Sequence, residues 1–176
     1  MHPLEKFQYC PVCGSSHFEE SNVKSKECHN CGFKYYANPS SSTVALILNS
    51  QGELLVVRRA KEPAKGTLDL PGGFVDMDET GEEGVKREVM EETSLEVTEA
   101  KYLFSLPNKY LYSGMNIHTL DMFYICKVDD ISKLKAGDDA AETMWVPVDE
   151  IKTEQFGLRS VRHGLQMCLA KNLLSD

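Results

Sequence analysis

Residues 73–95 read GFVDMDETGEEGVKREVMEETSL, and the spacing of the acids in this stretch decides the fold. Six glutamates lie in the 14 residues from Glu79 to Glu92. The charge-rich run from Thr80 to Thr93 predicts a helix. At about 100° per residue, with Glu88 set to zero, Glu92 falls at about +40° and Glu91 at about −60°, so the three share one face. Val85 and Val89 flank that face at about +60° and +100° and point to a core. Glu82 and Glu83 fall elsewhere and read as solvated. Facing carboxylates about 5–6 Å apart repel by a few tenths of a kcal/mol per pair when exposed. At a semi-buried site with an effective dielectric of about 20 the penalty reaches about 3 kcal/mol per pair. A hard divalent cation removes it, and carboxylate oxygens suit Mg²⁺ or Mn²⁺. The ordinary alternative is a solvated acidic face. Gly81 and Gly84 each weaken the helix by up to about 1 kcal/mol relative to Ala, so packing and metal have to hold it.

The stretch resembles the Nudix box, G-x5-E-x7-R-E-U-x-E-E-x-G-U, where U is a bulky aliphatic residue. Gly73, Glu79, Arg87, Glu88, Val89, Glu91, Glu92 and Leu95 fall on its fixed positions. Ser94 stands where the box has Gly, at the point where the helix ends in a left-handed conformation. Ser there is expected to cost about 1 kcal/mol or to redirect the loop. The resemblance continues ahead of the box in LLVVRRAKEPAKGTLDLPGGFVD and after it in AAETMWVPVDEI. It implies a metal-dependent pyrophosphohydrolase. By the same resemblance Glu88 and Glu92 are the main Mg²⁺ or Mn²⁺ ligands, Glu91 is an additional one, and the carbonyl of Gly72 or Gly73 completes the set. Arg87 and Glu79 are expected to pair and orient loop and helix. The general base is one of the box glutamates or Glu142, just before Met144-Trp145-Val146. A solvated strand residue is the plain alternative for Glu142.

Four of the six cysteines form two tight pairs, Cys10-Pro11-Val12-Cys13 and Cys28-His29-Asn30-Cys31, with 14 residues between them. Two such pairs complete a four-thiolate Zn²⁺ site with the spacing of a zinc ribbon. Gly14 and Gly32 follow the second Cys of each pair and suit a tight knuckle. About 35 residues bury too little surface to fold alone, so the metal reads as structural. Lys24, Lys26 and Lys34 with Phe33, Tyr35 and Tyr36 offer a second reading, phosphate contact and base stacking; ordinary solvated charge is the simpler one. His17 and His29 read as surface residues, and Cys126 and Cys168 as buried packing. Asn38 to Ser42 is polar and turn-prone. The expected boundaries are a ribbon over 1–37 and a catalytic domain over 38–176.

A ribbon ahead of such a domain is similar to the NADH pyrophosphatase branch of the family, which carries S-Q-P-W-P-F-P-x-S after the box. The corresponding stretch here is SLPNKYLYS; Ser105, Pro107 and Ser113 match and Tyr110 replaces one aromatic by another. Tyr110 and Tyr112 also lie where dinucleoside polyphosphate hydrolases are similar in carrying a tyrosine. The expected substrate contacts are Tyr110, Tyr112, Pro107 and Arg59; packing aromatics and surface charge are the plain alternatives. The resemblance implies cleavage of NADH, NAD or ADP-ribose to two monophosphates, with a capped RNA end as an extended substrate. The alternatives are a dinucleoside polyphosphate hydrolase on the same site and a non-catalytic ligand sensor or RNA-binding module. Three intact box glutamates weigh against a dead site.

The rest of the chain sets the frame. Of 176 residues, 41% are hydrophobic and 26% charged, enough apolar material for a core and too little polar bias for disorder. The net charge of −8 disfavours broad nucleic-acid binding. No apolar run approaches the roughly 20 residues of a membrane span. The first residues show no apolar signal region, so a cytoplasmic protein is expected. Thr43–Leu48 and Glu53–Arg58 read as a hairpin about Asn49–Gly52, followed by strand-like runs at Leu95–Leu106, Thr119–Val128 and Thr143–Val148 and a closing helix over Gly157–Leu174. His118, Asp121 and His163 carry no assigned role. The expected architecture is α+β, an α/β/α sandwich with a mixed sheet behind a small zinc ribbon. The resemblance also implies a homodimer.

Overall fold

The computed structural model describes residues 2–137 and 140–174. In chain order its strands and helices are β1 Phe18–Asn22, β2 Ser25–Cys28, β3 Lys34–Tyr36, β4 Ser40–Ile47, β5 Glu53–Arg59, β6 Leu68–Asp69, α1 Gly81–Thr93, β7 Val97–Tyr112, β8 Met115–Val128, β9 Ala140–Pro147 and α2 Arg159–Ala170. The chain divides into two compact units, Met1–Pro39 with Tyr110–His118, and Ser40–Lys109 with Thr119–Asp176.

The first unit holds an antiparallel sheet in the order β1-β2-β3. Its core is small, Cys10, Phe18 and Cys28 with Phe33 packed on them. Lys26 is buried; its ammonium donates to the Phe7 carbonyl at 2.7 Å and sits 5.4 Å from the centre of the Phe18 ring. Lys34 pairs with Glu27 at 2.8 Å. The sequence reading that offered these lysines to phosphate fails for Lys26, because its charge is spent inside the unit.

In the second unit two three-stranded sheets, ordered β4-β8-β7 and β6-β5-β9, form the middle layer between the two helices. Alternation along the strands sorts the side chains. Val44 and Leu46 of β4, Leu54 and Val56 of β5 and Phe123 of β8 join the cluster that holds Val161, Leu165 and Cys168 of α2. Ala45, Ile47, Leu55 and Tyr124 join the cluster that holds Val85 and Val89 of α1. Each fully buried Leu, Val or Phe contributes about 1.5–3 kcal/mol relative to exposure. In α2 the residues 161, 165 and 168 recur at helical spacing on one face. Gly164 lets that face approach closely, since a Cβ there would lie 2.4 Å from the Phe123 ring. The helix is shorter at both ends than the predicted Gly157–Leu174.

The expected hairpin of β4 and β5 is not formed. The turn is there, with the Asn49 N–H donating to the Glu53 carbonyl at 3.0 Å and an isolated Leu48–Leu54 bridge beside it, but the strands then diverge into different sheets. β4 runs parallel to β8, from Ser40 beside Thr119 to Ile47 beside Cys126. β5 runs antiparallel to β9, from Glu53 beside Pro147 to Arg59 beside Ala140. A strand apolar on both faces belongs inside a layered fold with partners distant in sequence. Among the described residues no helix is long and apolar enough to cross a membrane.

Candidate active site

Helix α1 is built to present its acids. Thr80 caps it: the Glu83 N–H donates to Thr80 Oγ1 at 3.2 Å, and the Thr80 N–H donates to the Glu83 carboxylate at 2.8 Å. This reciprocal box satisfies two backbone donors, and the N-cap is worth about 0.5–2 kcal/mol. The Thr-x-x-Glu pattern was visible in the sequence, so Glu83 has a task beyond solvation. At the other end Ser94 adopts the left-handed conformation, φ 60° and ψ 16°, with its N–H donating to the Met90 carbonyl. The Lys135 and Gly137 N–H groups donate to the Thr93 and Glu92 carbonyls, which stabilises the last turn.

The start of β4 serves as the template for the turn that faces α1. The Ala45 N–H donates to the Pro71 carbonyl, the Thr43 N–H to the Gly73 carbonyl, and the Val75 N–H to the Ser41 carbonyl, at 2.7, 2.8 and 3.1 Å. Gly72 has φ 147°, and a Cβ on it would lie 2.1 Å from the Thr43 carbonyl oxygen. A Cβ on Gly73 would lie 2.5–2.6 Å from the carboxylate atoms of Glu88. Both glycines are therefore needed, the first by backbone and the second by Glu88. The Gly72 N–H donates to Glu92 at 3.1 Å. Two carboxylates of α1 thus rest on the Gly72–Gly73 turn.

Arg87 organises the neighbouring acids. Its guanidinium donates to both oxygens of Glu79 at 2.9 and 3.0 Å, to Glu88 at 2.8 Å and to the Phe74 carbonyl at 2.9 Å. It reaches Glu91 at 3.4 Å and Asp76 at 3.6 Å. One positive charge thus faces four carboxylates, with Glu92 as a fifth at the turn. Hydrogen bonding to Arg87, and to the Asp76 N–H, holds the Glu79 carboxyl below its ordinary range. Glu88 goes the other way: burial pushes it up, and the pull of Arg87 does not cancel that. The side chain of Glu88 is 16% exposed and that of Glu91 59%. Hard oxygen donors, one of them poorly solvated, are the donor set that suits Mg²⁺ or Mn²⁺.

The remaining expected site residues have other surroundings. Glu142 on β9 lies beside Arg58 in the ladder and pairs with it at 3.2 Å. Arg59 pairs with buried Asp69 at 2.5 Å and donates to the Pro63 carbonyl at 2.7 Å. Pro107 is exposed on β7. Tyr110 and Tyr112 end β7 and fall in the first unit, with Tyr112 exposed. The structure therefore brings Gly72, Glu79, Arg87, Glu88, Glu91 and Glu92 together and gives Glu142 and Arg59 separate ionic partners. Asp121, passed over in the sequence, is buried and accepts hydrogen bonds from Ser42, Thr119 and Ser160. Its place two residues before Phe123, on the inward face of an alternating strand, was the available signal.

Among the described residues the four cysteines alone gather three or more ligand atoms within 4.8 Å of one another. The Cys10–Cys31 and Cys13–Cys28 sulfurs are 3.7 and 3.6 Å apart. A tetrahedron with metal–sulfur bonds of about 2.3 Å has edges of about 3.8 Å, so the cluster fits one such ion. The two knuckles repeat the same bonds. The Gly14 N–H donates to the Cys10 carbonyl and the Gly32 N–H to the Cys28 carbonyl; the Cys10 N–H donates to the Ser15 carbonyl and the Cys28 N–H to the Phe33 carbonyl. Backbone hydrogen bonding at Ser15, then the Asn30 side chain, lowers the Cys13 thiol to about 6.

Comparison with known proteins agrees with this geometry. The NUDIX domain pattern matches residues 38–163. An ADP-ribose pyrophosphatase of Methanocaldococcus jannaschii is 33% identical over 126 residues, 70% of this chain and 71% of that protein. The NAD-capped RNA hydrolase NudC of Vibrio cholerae is 31% identical over 108 residues, 60% of this chain and 39% of that protein. The chain thus spans about two fifths of the length of that relative. A crystal structure of a NUDIX hydrolase from Nitrosomonas europaea superposes with a TM-score of 0.74 at 22% identity, covering 96% of this chain and 94% of that one. The match over residues 38–163, on the sandwich whose α1 carries the glutamates, shows that the protein belongs to the NUDIX domain family.

Proposed function

We propose that the protein is a metal-dependent pyrophosphohydrolase that splits the diphosphate of an NAD(H)- or ADP-ribose-type nucleotide into two monophosphates. The observation that carries this is the pair Glu88 and Glu92 resting on the Gly72–Gly73 turn, with Glu88 kept poorly solvated. The names of the relatives, an ADP-ribose pyrophosphatase and an NAD-capped RNA hydrolase, support the substrate class. Glu88, Glu92 and Glu91, with the Gly72 or Gly73 carbonyl, would hold Mg²⁺ or Mn²⁺. When bound, that ion supplies charge to the diphosphate and acidity to a water.

The chain's own groups do the rest. Arg87 holds Glu79 and the Phe74 carbonyl and so fixes the loop to the helix. Glu91, the most exposed of the three box carboxylates on this face and held by Arg87 only at 3.4 Å, is the candidate for general base, and Glu142 becomes one once Arg58 releases it. Water adds to one phosphorus, the P–O–P bridge breaks, and the proton passes to a carboxylate. Pro107, Tyr110, Tyr112 and Arg59 remain the proposed substrate contacts. Zinc in the cysteine cluster would hold the ribbon over 1–37, ahead of a catalytic domain over 38–176. The homodimer implied by the family resemblance and the cytoplasmic setting expected from the sequence belong to the same reading; light scattering tests the first.

The deciding experiment is product analysis by mass spectrometry. The protein with Mg²⁺ or Mn²⁺ is given NADH, NAD, ADP-ribose, diadenosine tetraphosphate and NAD-capped RNA, with Glu92→Gln as the control. AMP plus the partner monophosphate, absent in the control, is expected. Turnover of diadenosine tetraphosphate alone would replace the substrate class, and silence on the whole panel would remove the enzyme reading.

A further inference from the structure

We propose that Asp121 is a positioning residue that, acting through Ser42, holds the Gly72–Gly73 turn in register against Glu88 and Glu92. The inference deepens the hydrolase reading and rests on it. Asp121 lies on β8 and is 3% exposed. Ser42 Oγ and Thr119 Oγ1 each donate to its Oδ1 at 2.6 Å, and Ser160 Oγ donates to its Oδ2. Those hydroxyls come from β4, β8 and the first turn of α2. One carboxylate therefore ties three elements at one end of the sandwich.

The link to the site runs through β4. Ser42 stands beside Asp121 in the parallel ladder. On its other edge the same residue bridges Phe74 in antiparallel fashion. The residues either side of Ser42 make the bonds that shape the turn, the Thr43 N–H to the Gly73 carbonyl and the Ser41 carbonyl from the Val75 N–H. A slip of β4 would move the Gly73 backbone, and Glu88 sits directly on it. The carboxylate, an acceptor at both oxygens, can take all three hydroxyls at once. An unpaired carboxylate at this depth would be costly, so the hydroxyls and Asp121 fix one another.

The test uses Ser42→Ala, which cuts only the link, Asp121→Asn, and Ser160→Ala, which cuts the bond to α2 and leaves Ser42 in place. Amide hydrogen exchange is read by NMR on the zinc-loaded protein without Mg²⁺ or Mn²⁺, and Mn²⁺ affinity by electron paramagnetic resonance. The Thr43 and Val75 amides are expected to exchange about tenfold faster in Ser42→Ala and Asp121→Asn, with Val56 and Met144 in the β5–β9 ladder unchanged. Ser160→Ala is expected to change Thr43 and Val75 less than about threefold. Mn²⁺ affinity should fall about tenfold in the first two variants. Unchanged exchange at Thr43 and Val75, or equal acceleration in both sheets and all three variants, would overturn the proposal. The exchange data need neither substrate nor Mg²⁺ or Mn²⁺, so they decide the inference even if the hydrolase reading fails.

Discussion

Arg87 grips both carboxylate oxygens of Glu79, eight residues earlier in the chain, at 2.9 and 3.0 Å. The pair closes the loop between the glycine turn and α1, because the same guanidinium also takes the Phe74 carbonyl. Lys cannot reproduce a bidentate contact and a third donor at once. Arg87→Lys is expected to lower kcat about 10–100-fold, the range for groups that orient metal ligands, with the fold intact. Steady-state kinetics beside a circular dichroism melt check this; a fall in KM-controlled rate alone would place Arg87 on the substrate instead.

Glu88 gives the site a pH signature. Its carboxyl is raised above the ordinary 4.5, so the folded chain holds this proton more tightly than the unfolded chain. Its contribution to stability is full below that ordinary value and is lost as the pH rises through the folded one. A cation needs the deprotonated form, so metal binding opposes that trend. Glu88→Gln is expected to melt at or above the wild type without metal and to lose the rise in Tm caused by Mn²⁺. Melting curves with and without Mn²⁺ from about pH 5 to pH 8 read both, and the acid limb of Mn²⁺ affinity should lie above the ordinary glutamate range. A wild-type acid limb at or below that range sinks this account of Glu88.

Ser94 adopts the left-handed conformation that the family box reserves for glycine. A non-glycine residue there costs about 1 kcal/mol. Ser94→Gly is therefore expected to stabilise the protein by about that amount, a rise in Tm of about 2–4 °C for a chain of this size. No loss of turnover should accompany it, since the Ser94 N–H bond to Met90 is kept. A lower Tm would mean that the serine side chain has a role of its own.

The cysteine cluster makes a stoichiometric prediction. About one zinc per chain is expected by plasma emission spectroscopy, falling to near zero in Cys28→Ser, a buried ligand. The apolar cluster of the first unit is small, Cys10, Phe18 and Cys28 with Phe33 packed on them, so the unit should lose its NMR dispersion with the metal while the second unit keeps its own. Retained dispersion in zinc-free protein counts against a structural metal.

What the sequence made legible follows the range of the forces involved. The α1 glutamates were readable because helical period acts within four residues, and Val85 and Val89 are buried as that period requires. The knuckles were readable because a metal fixes Cys spacing. The β4–β5 hairpin was misread because a local turn signal is silent about which strand pairs with which. Ser42 finds Asp121 across 79 positions, a partnership set by packing of whole layers. Arg87 shows the same limit on the charge side. Its Glu79 partner was inferred from the family pattern, whereas its reach to Asp76, Glu88 and Glu91 depends on side-chain geometry.

The two adjacent glycines should fail in different ways. A Cβ on Gly72 meets the Thr43 carbonyl at 2.1 Å, and its φ of 147° is poor for any side chain. Backbone cannot step aside cheaply, so Gly72→Ala is expected to destabilise by roughly 1–3 kcal/mol. For a Cβ on Gly73 the nearest atoms are the end of the Glu88 side chain, which can swing away. Gly73→Ala should then keep its stability within about 1 kcal/mol while Mn²⁺ affinity and turnover fall about 10–100-fold. Urea melts and Mn²⁺ titrations on the two variants separate the effects. If Gly73→Ala binds Mn²⁺ like the wild type, Glu88 does not need its seat on the turn, and the ligand set has to be drawn from elsewhere.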